Sequence, residues 1–361
     1  HNELSSDIFG DLEETQKKQS LLKVVNEFKS QGVGFVVDIV LNHISVDSEL
    51  LSKCPDACYN LENSQYLRVA YELDLALAKL SKDFVLGEVK GFNSRRIETE
   101  TSLKQVMKAV KEVIDSLQLE EFFQIQVESA LEKLMNKEFE GELDFRLQEV
   151  IFAKGLQQFI KEFCVLKQGE GRHAMELDCE LVWKAVKTIQ LPQEIVFGEV
   201  SKCLNAFNKD QLQKFKKYYL EIIKNIEAEI RYQKLELRNL EVTEENPLVN
   251  PYFVELQNGQ VALLNGFILS NKNVFKDIAN KKSFNYLRRK VVVWNDCVKL
   301  RYGELMSESP DLWEYMEKYV VEMSQVFGGI KLDNAHSTPL NVSKYLVSKA
   351  RKANPKVVVM A

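Results

Sequence analysis

Three stretches of this chain repeat one pattern, and that pattern restricts the fold more than any other feature. In each, apolar residues at helical spacing are followed by a Gly or Pro break and then by a short, continuous apolar run. The first has Leu21, Leu22, Val25 and Phe28, then Gly32, then residues 33–40. The second opens at Pro310-Asp311, runs through Leu312, Tyr315, Met316, Tyr319, Val320 and Met323, breaks at Gly328-Gly329 and ends in Ile330-Lys331-Leu332-Asp333. The third runs from Pro339 through Val342, Leu346 and Ala350, breaks at Asn354-Pro355 and ends in residues 357–361. A period near 3.6 that gives way to an uninterrupted apolar strand marks parallel α/β structure, whose strands are covered on both faces. Three such units predict either a (β/α) barrel or an open, doubly wound sheet.

Between the first and second units the pattern changes. The sequence divides into a segment at 1–49, a mainly helical insertion at 50–300 and a segment at 301–361. Within the insertion, Leu212, Phe215, Tyr219, Ile222, Ile226 and Ile230 share one face of a helix expected from about 210 to 240, with Lys and Glu on the solvated side. Shorter helices are expected near 65–82, 101–116, 126–137 and 145–165. Strands are expected at 261–270 and 291–294, and Asn246-Pro247 and Asn250-Pro251 mark loops.

Bulk properties exclude several classes of partner. A net charge of −5 gives no basic face for nucleic acid or for an anionic membrane. The longest apolar stretch, 33–41, contains Asp38 and is too short to span a bilayer. Residues 1–30 lack the apolar segment of a secretory signal, so the expected location is cytoplasmic. Cysteines at 54, 58, 164, 179, 203 and 297 are widely spaced beside apolar residues, which predicts buried thiols rather than a disulfide framework. Cys54 and Cys58 have no second pair to complete a zinc site, so no metal and no cofactor is expected. The chain opens without Met and stops inside an apolar run, so both ends read as cuts through a longer polypeptide.

The candidate chemistry sits where two of the strands run out. The first delivers Asp38-Ile39-Val40-Leu41-Asn42-His43, and the second Lys331-Leu332-Asp333-Asn334-Ala335-His336. In a barrel the C-terminal strand ends converge on one face, so Asp38, His43, Lys331, Asp333 and His336 would share one cleft. Lys331 and Asp333 are two apart and leave the strand on the same side. For each residue taken alone, a capping or loop role is the plainer reading. Their order along the chain is what favours a site.

That order resembles a known family. Asp38 to His43 is similar to the first signature of the α-amylase clan. Residues 329–339 resemble a later signature in the form used by eukaryotic-type glycogen debranching enzymes. Segments 54–61, 121–124, 246–249, 286–289 and 298–303 follow in the same order as counterparts in those enzymes. The resemblance implies a partial (β/α)8 barrel with a large helical insertion between the third and fourth strands. It also implies 4-α-glucanotransferase activity by a retaining double displacement, with glycogen or a limit dextrin as partner.

Asp333 then matches the catalytic nucleophile. Asp38 and His43 match positions around the reacting sugar, and Asn42 a structural position. His336 either touches substrate or anchors the turn. Among the aromatics, Trp294 beside Asn295-Asp296 is the expected glucan contact.

Two departures bear on activity. The family has arginine where this chain has Lys331, and an ammonium lacks the two-pronged grip of a guanidinium. The general-acid glutamate of the family would follow Ala361, so a polypeptide of these residues alone is expected to be inactive. The alternative reading is a non-catalytic glucan-binding relative. The α-1,6-glucosidase step of bifunctional debranching enzymes would lie in a separate domain.

Overall fold

The computed structural model describes residues 4–92, 94–136, 145–166, 172, 175–236, 241–268 and 277–361. It is a mixed α/β structure in which none of the sheets closes on itself. The chain divides into two compact units. The first comprises residues 1–63, 252–285 and 291–361, and the second residues 64–251 and 286–290. The stretches 50–63, 252–285 and 291–300, which the sequence pattern groups with the helical insertion, therefore cluster with the strands that carry the motifs.

The first unit is built on the three repeated segments. Helix α1 (Glu14–Ser30) leads into β1 (Val36–Val40), helix α2 (Pro310–Val326) into β6 (Gly329–Asp333), and helix α3 (Leu340–Ala353) into β7 (Val358–Met360). Proline at the first position of α2 fits a helix start, because its missing N–H has no intrahelical partner there. Strands β1, β6 and β7 form a parallel sheet in that order. The register sets Asp38 opposite Lys331 and Val40 opposite Asp333.

One face of this sheet is dry. Ile39, Ile330 and Leu332 are buried against Leu312, Met316, Tyr319 and Val320 of α2 and Val342, Leu346 and Ala350 of α3. These helix positions recur every three or four residues, as burial against a sheet demands. The other face carries Val36, Asp38 and Lys331, which are all exposed. Alternation along a strand thus separates a packing face from a polar face.

A second, antiparallel sheet completes the unit. Strand β2 (His43–Ser45) pairs with β5 (Val292–Lys299), which pairs with β4 (Val261–Phe267), which pairs with β3 (Phe253–Glu255). The strand expected at 261–270 therefore ends earlier, and residues 269 and 270 lie outside the described set. The strand expected at 291–294 extends to Lys299. A register shift between Leu264 and Gly266 marks an irregularity in β4, where a side chain at Gly266 would collide with the Val292 carbonyl. Ile44, Ala262 and Val298 join the same core as the parallel sheet.

The second unit is mainly helical. Helices Arg68–Leu86, Glu100–Leu117 and Val127–Asn136 lie close to where the apolar periodicity places them. The single helix expected at 145–165 is instead two, Phe145–Lys154 and Leu156–Glu162, interrupted at Gly155 with φ 84° and followed by a short strand at Cys164–Leu166. The long helix differs: it spans Gln193–Ile230, 38 residues, and begins well before residue 210. Its early half is helical because Val196, Val200, Leu204 and Phe207 form a buried stripe into a separate core with Val182, Ala185 and Phe159. Of the expected extension to 240, residues 237–240 lie outside the described set. Residues 286–290 are held in this unit by the buried Arg289, whose guanidinium pairs with Asp74 at 2.8 Å and donates to the Asn250 carbonyl at 2.6 Å.

Helix Glu100–Leu117 shows how a local signal fixes an element. The Thr99 hydroxyl oxygen accepts from Ser102 N at 3.1 Å, and Ser102 Oγ accepts from Thr99 N at 3.0 Å. Two otherwise unpaired donors are satisfied in this way, while Leu103, Val106, Met107, Val110 and Ile114 face the core. Thr99→Ala is expected to cost about 1 kcal/mol, read as a lower urea midpoint for loss of helical ellipticity.

All six cysteines are free, with Cys58 and Cys297 buried. Burial pushes both thiols up to about 12, so they remain protonated at neutral pH. No described helix is long and apolar enough to cross a membrane.

Candidate active site

The first unit brings together most of the residues singled out from the sequence. Lys331 Nζ lies 3.1 Å from Asp38 Oδ1, across directly paired strands. Both side chains are about half exposed, 48% and 60%, so this ion pair borders solvent and orients the groups more than it stabilises the fold. Asp333 stands two residues further along the same face of β6 and is partly buried. Its Oδ2 accepts from Asn334 Nδ2 at 3.0 Å.

Beyond Asp333 the chain turns sharply. Asn334 adopts a left-handed conformation, φ 52°, which an Asn tolerates better than most residues, and a single 3-10 turn follows at Ala335–Ser337. The bonds that hold this turn come from Asn334, Ser337 and Thr338: Ser337 Oγ and Thr338 Oγ1 both donate to the Asn334 carbonyl. His336 is exposed on the turn. Among the described residues it has no hydrogen bond or ion pair to the cluster.

A directed chain of hydrogen bonds connects the two motifs. Ser337 Oγ donates its proton to the Asn334 carbonyl, so it must accept from Asn42 Nδ2, which lies 2.7 Å away. The amide oxygen of Asn42 then faces His43 Nδ1 at 2.8 Å and can only accept. In neutral His43 the proton is therefore on Nδ1, and Nε2 is the acceptor. Asn42 is fully buried, and both its amide nitrogen and its amide oxygen are engaged within the protein.

His43 is held below its ordinary value of 6.5, first by burial and then by the nearby Lys299 ammonium; Asp333 and Asp296 act in the opposite direction. The unfolded chain therefore takes up the proton first as pH falls through the ordinary imidazole range. Stability from this residue is complete above that range and declines as pH drops toward the lower, folded value. The difference in urea midpoint between about pH 7.5 and about pH 5.5 should shrink in His43→Gln, because the group responsible for that slope is gone.

Beside His43 an aromatic ledge extends over the antiparallel sheet. The Trp294 ring centroid is 5.7 Å from that of His43 and 5.6 Å from that of Phe267. Trp294, Phe267 and His43 are each half-buried.

Several neighbours escaped the sequence reading. Lys299 is fully buried and pairs with His43 in the β2–β5 register. Its Nζ donates to the Ser337 carbonyl at 3.3 Å and lies 3.8 Å from Asp277 Oδ1. Tyr59 Oη donates to Asp277 Oδ2 at 2.6 Å. No local signal marks Lys299, which stands between the charges of Asp296 and Arg301 like an ordinary surface lysine.

Residues 1–358 match the family described as "Glycogen debranching enzyme, glucanotransferase domain". The glycogen debranching enzyme of Saccharomyces cerevisiae is 31% identical over 348 residues, an alignment that covers 90% of this chain and 22% of the yeast protein. The chain thus spans about a fifth of the length of that relative. A match over nearly every residue, together with this identity, places the chain in the glucanotransferase-domain family of glycogen debranching enzymes.

Proposed function

We propose that the first unit forms the nucleophile side of a 4-α-glucanotransferase site acting on glycogen or limit dextrin, in the cytoplasm. In this reading β1, β6 and β7 are the third, fourth and fifth staves of a (β/α)8 barrel, and the second unit is inserted between the third and fourth. The observation that carries the reading is the side-by-side parallel pairing of β1 and β6, which puts Asp38, Lys331 and Asp333 on one polar face.

The chemistry follows from that placement. A carboxylate oxygen of Asp333 attacks the anomeric carbon of an α-1,4-linked glucose, and the bond to the leaving 4-oxygen breaks. A β-linked glycosyl ester remains on the protein until the 4-hydroxyl of a second glucan attacks the same carbon and releases the carboxylate. Two inversions give net retention. The leaving oxygen needs a proton from a second carboxyl about 5 Å away. Asp38 is engaged by Lys331, so that role falls to another residue.

The surrounding groups serve the sugar. His43 Nε2, with Nδ1 committed to Asn42, accepts from a sugar hydroxyl. Trp294 and Phe267 offer stacking faces to glucose rings. His336, exposed on the turn after Asp333, is within reach of a chain in the cleft.

The test is incubation of the full-length protein with maltopentaose. Redistribution of chain lengths, with covalent trapping of a 5-fluoroglucosyl group on Asp333, supports the reading. Retained binding to glycogen beads without redistribution or trapping favours the alternative, a non-catalytic glucan-binding relative, for which Lys331 in the place of the family arginine is the motivating observation.

A further inference from the structure

We propose that Lys299 is a positioning residue of this cleft: its buried ammonium clamps the turn that follows Asp333 onto the strand pair that presents His43. The proposal deepens the glucanotransferase reading and rests on it for the use to which the clamped geometry is put.

The location argues against a plain packing role. Lysine is almost never fully buried, and taking a charge out of water is costly even when it is paired. A methionine would fill similar volume without that cost, so the charge requires another explanation. At 3.8 Å the Asp277 contact is at the outer limit of an ion pair, and that carboxylate is shared with the Tyr59 hydroxyl. The ammonium is therefore only partly compensated by its counter-charge. Among the described residues its hydrogen bond goes to the Ser337 carbonyl.

Ser337 is thus held twice. Its carbonyl accepts from Lys299, and its hydroxyl accepts from Asn42 while donating to the Asn334 carbonyl. Asn334 is the residue next to Asp333 and donates to its carboxylate. On the other side, Lys299 sits directly opposite His43 in antiparallel register, so the two side chains leave the same face of the β2–β5 pair. One cation is in this way coupled to both halves of the site. The charged groups that act on His43 are Lys299, Asp333 and Asp296, and Lys299 is the cation among them. Burial is the first cause that favours the neutral, hydrogen-bond-accepting imidazole, and a fixed positive charge there adds to it.

Two variants separate the clamp from the charge. Lys299→Gln keeps an N–H donor on a side chain one atom shorter and removes the charge, and Lys299→Met removes both. With 13Cε1-labelled histidine in the full chain, the His43 resonance, assigned by its loss in His43→Gln, should titrate at higher pH in both variants. Amide exchange at Ser337 and Thr338 should speed up by roughly tenfold in Lys299→Met, the scale of one charge-assisted hydrogen bond, and by less than that in Lys299→Gln. A glutamine variant that fails to fold, or that folds with His43 titrating as in wild type, overturns the proposal. So does unchanged exchange in a folded methionine variant. Neither readout uses a glucan, so loss of the glucanotransferase reading would leave this result standing, and the converse also holds.

Discussion

Asp333→Asn in the full-length protein should lower glucan transfer by on the order of 10⁴-fold or more, the scale on which covalent catalysis suffers when its nucleophile is removed. The amide matches the carboxylate in shape, so Asn334 Nδ2 can still find an oxygen acceptor and the turn it begins is retained. Glucan binding should therefore survive. The measurement is transfer from maltopentaose alongside binding to glycogen beads. A shortened side chain gives a sharper second result. In Asp333→Gly the vacated space admits azide, which attacks the anomeric carbon in place of the carboxylate, so the product should be a β-glycosyl azide. Undiminished transfer by Asp333→Asn would remove the nucleophile from this position altogether.

Lys331→Arg should raise transfer by about 10-fold to 100-fold, the range over which small errors in reacting geometry are felt. The lysine reaches Asp38 through a single Nζ contact and is about half exposed, so its head is a mobile point charge. A guanidinium on the same strand position offers two parallel N–H groups and can hold Asp38 with one edge while presenting the other to Asp333, two residues along the same face. The readout is the initial rate of chain-length redistribution at saturating maltopentaose, with binding measured in parallel. A flat rate with intact binding would favour the non-catalytic alternative, because better positioning cannot help a site that performs no chemistry.

The parallel strands were legible because their information is local. An amphipathic helix, a glycine or proline break and a short β-branched run occupy consecutive positions, and each step has its own physical cause. The motif residues at the ends of β1 and β6 came with them. The start of the long helix was less visible. Asp210 resembles a cap, and Gly198 weakens the helical signal before it, yet the stripe from Val196 to Phe207 continues the same face. Tertiary burial outweighs local propensity there.

The antiparallel sheet was the least legible part of the site unit. In β5 the side chains of Cys297, Val298 and Lys299 are all buried, so the two-residue alternation that announces a half-buried strand is absent. Its partners β2 and β4 come from distant parts of the chain, and nothing local specifies that pairing. Lys299 escaped notice for the same reason: a lone lysine is normally a surface residue, and only the encounter with Ser337 and Asp277 gives it a buried one's role.

The hydrogen bond between Asn42 and Ser337 joins residues 295 positions apart, and this has a kinetic meaning. Closing so long a loop carries a length-dependent entropy cost of about 5 kcal/mol, which must be met before the β1–β6 ladder can repay it. A nascent chain that compacts its intervening helices early has less slack to take up when the two ends meet. The Asn42–Ser337 contact is then a late event in folding, and lesions in the helical unit would slow its formation while leaving both of its partners intact.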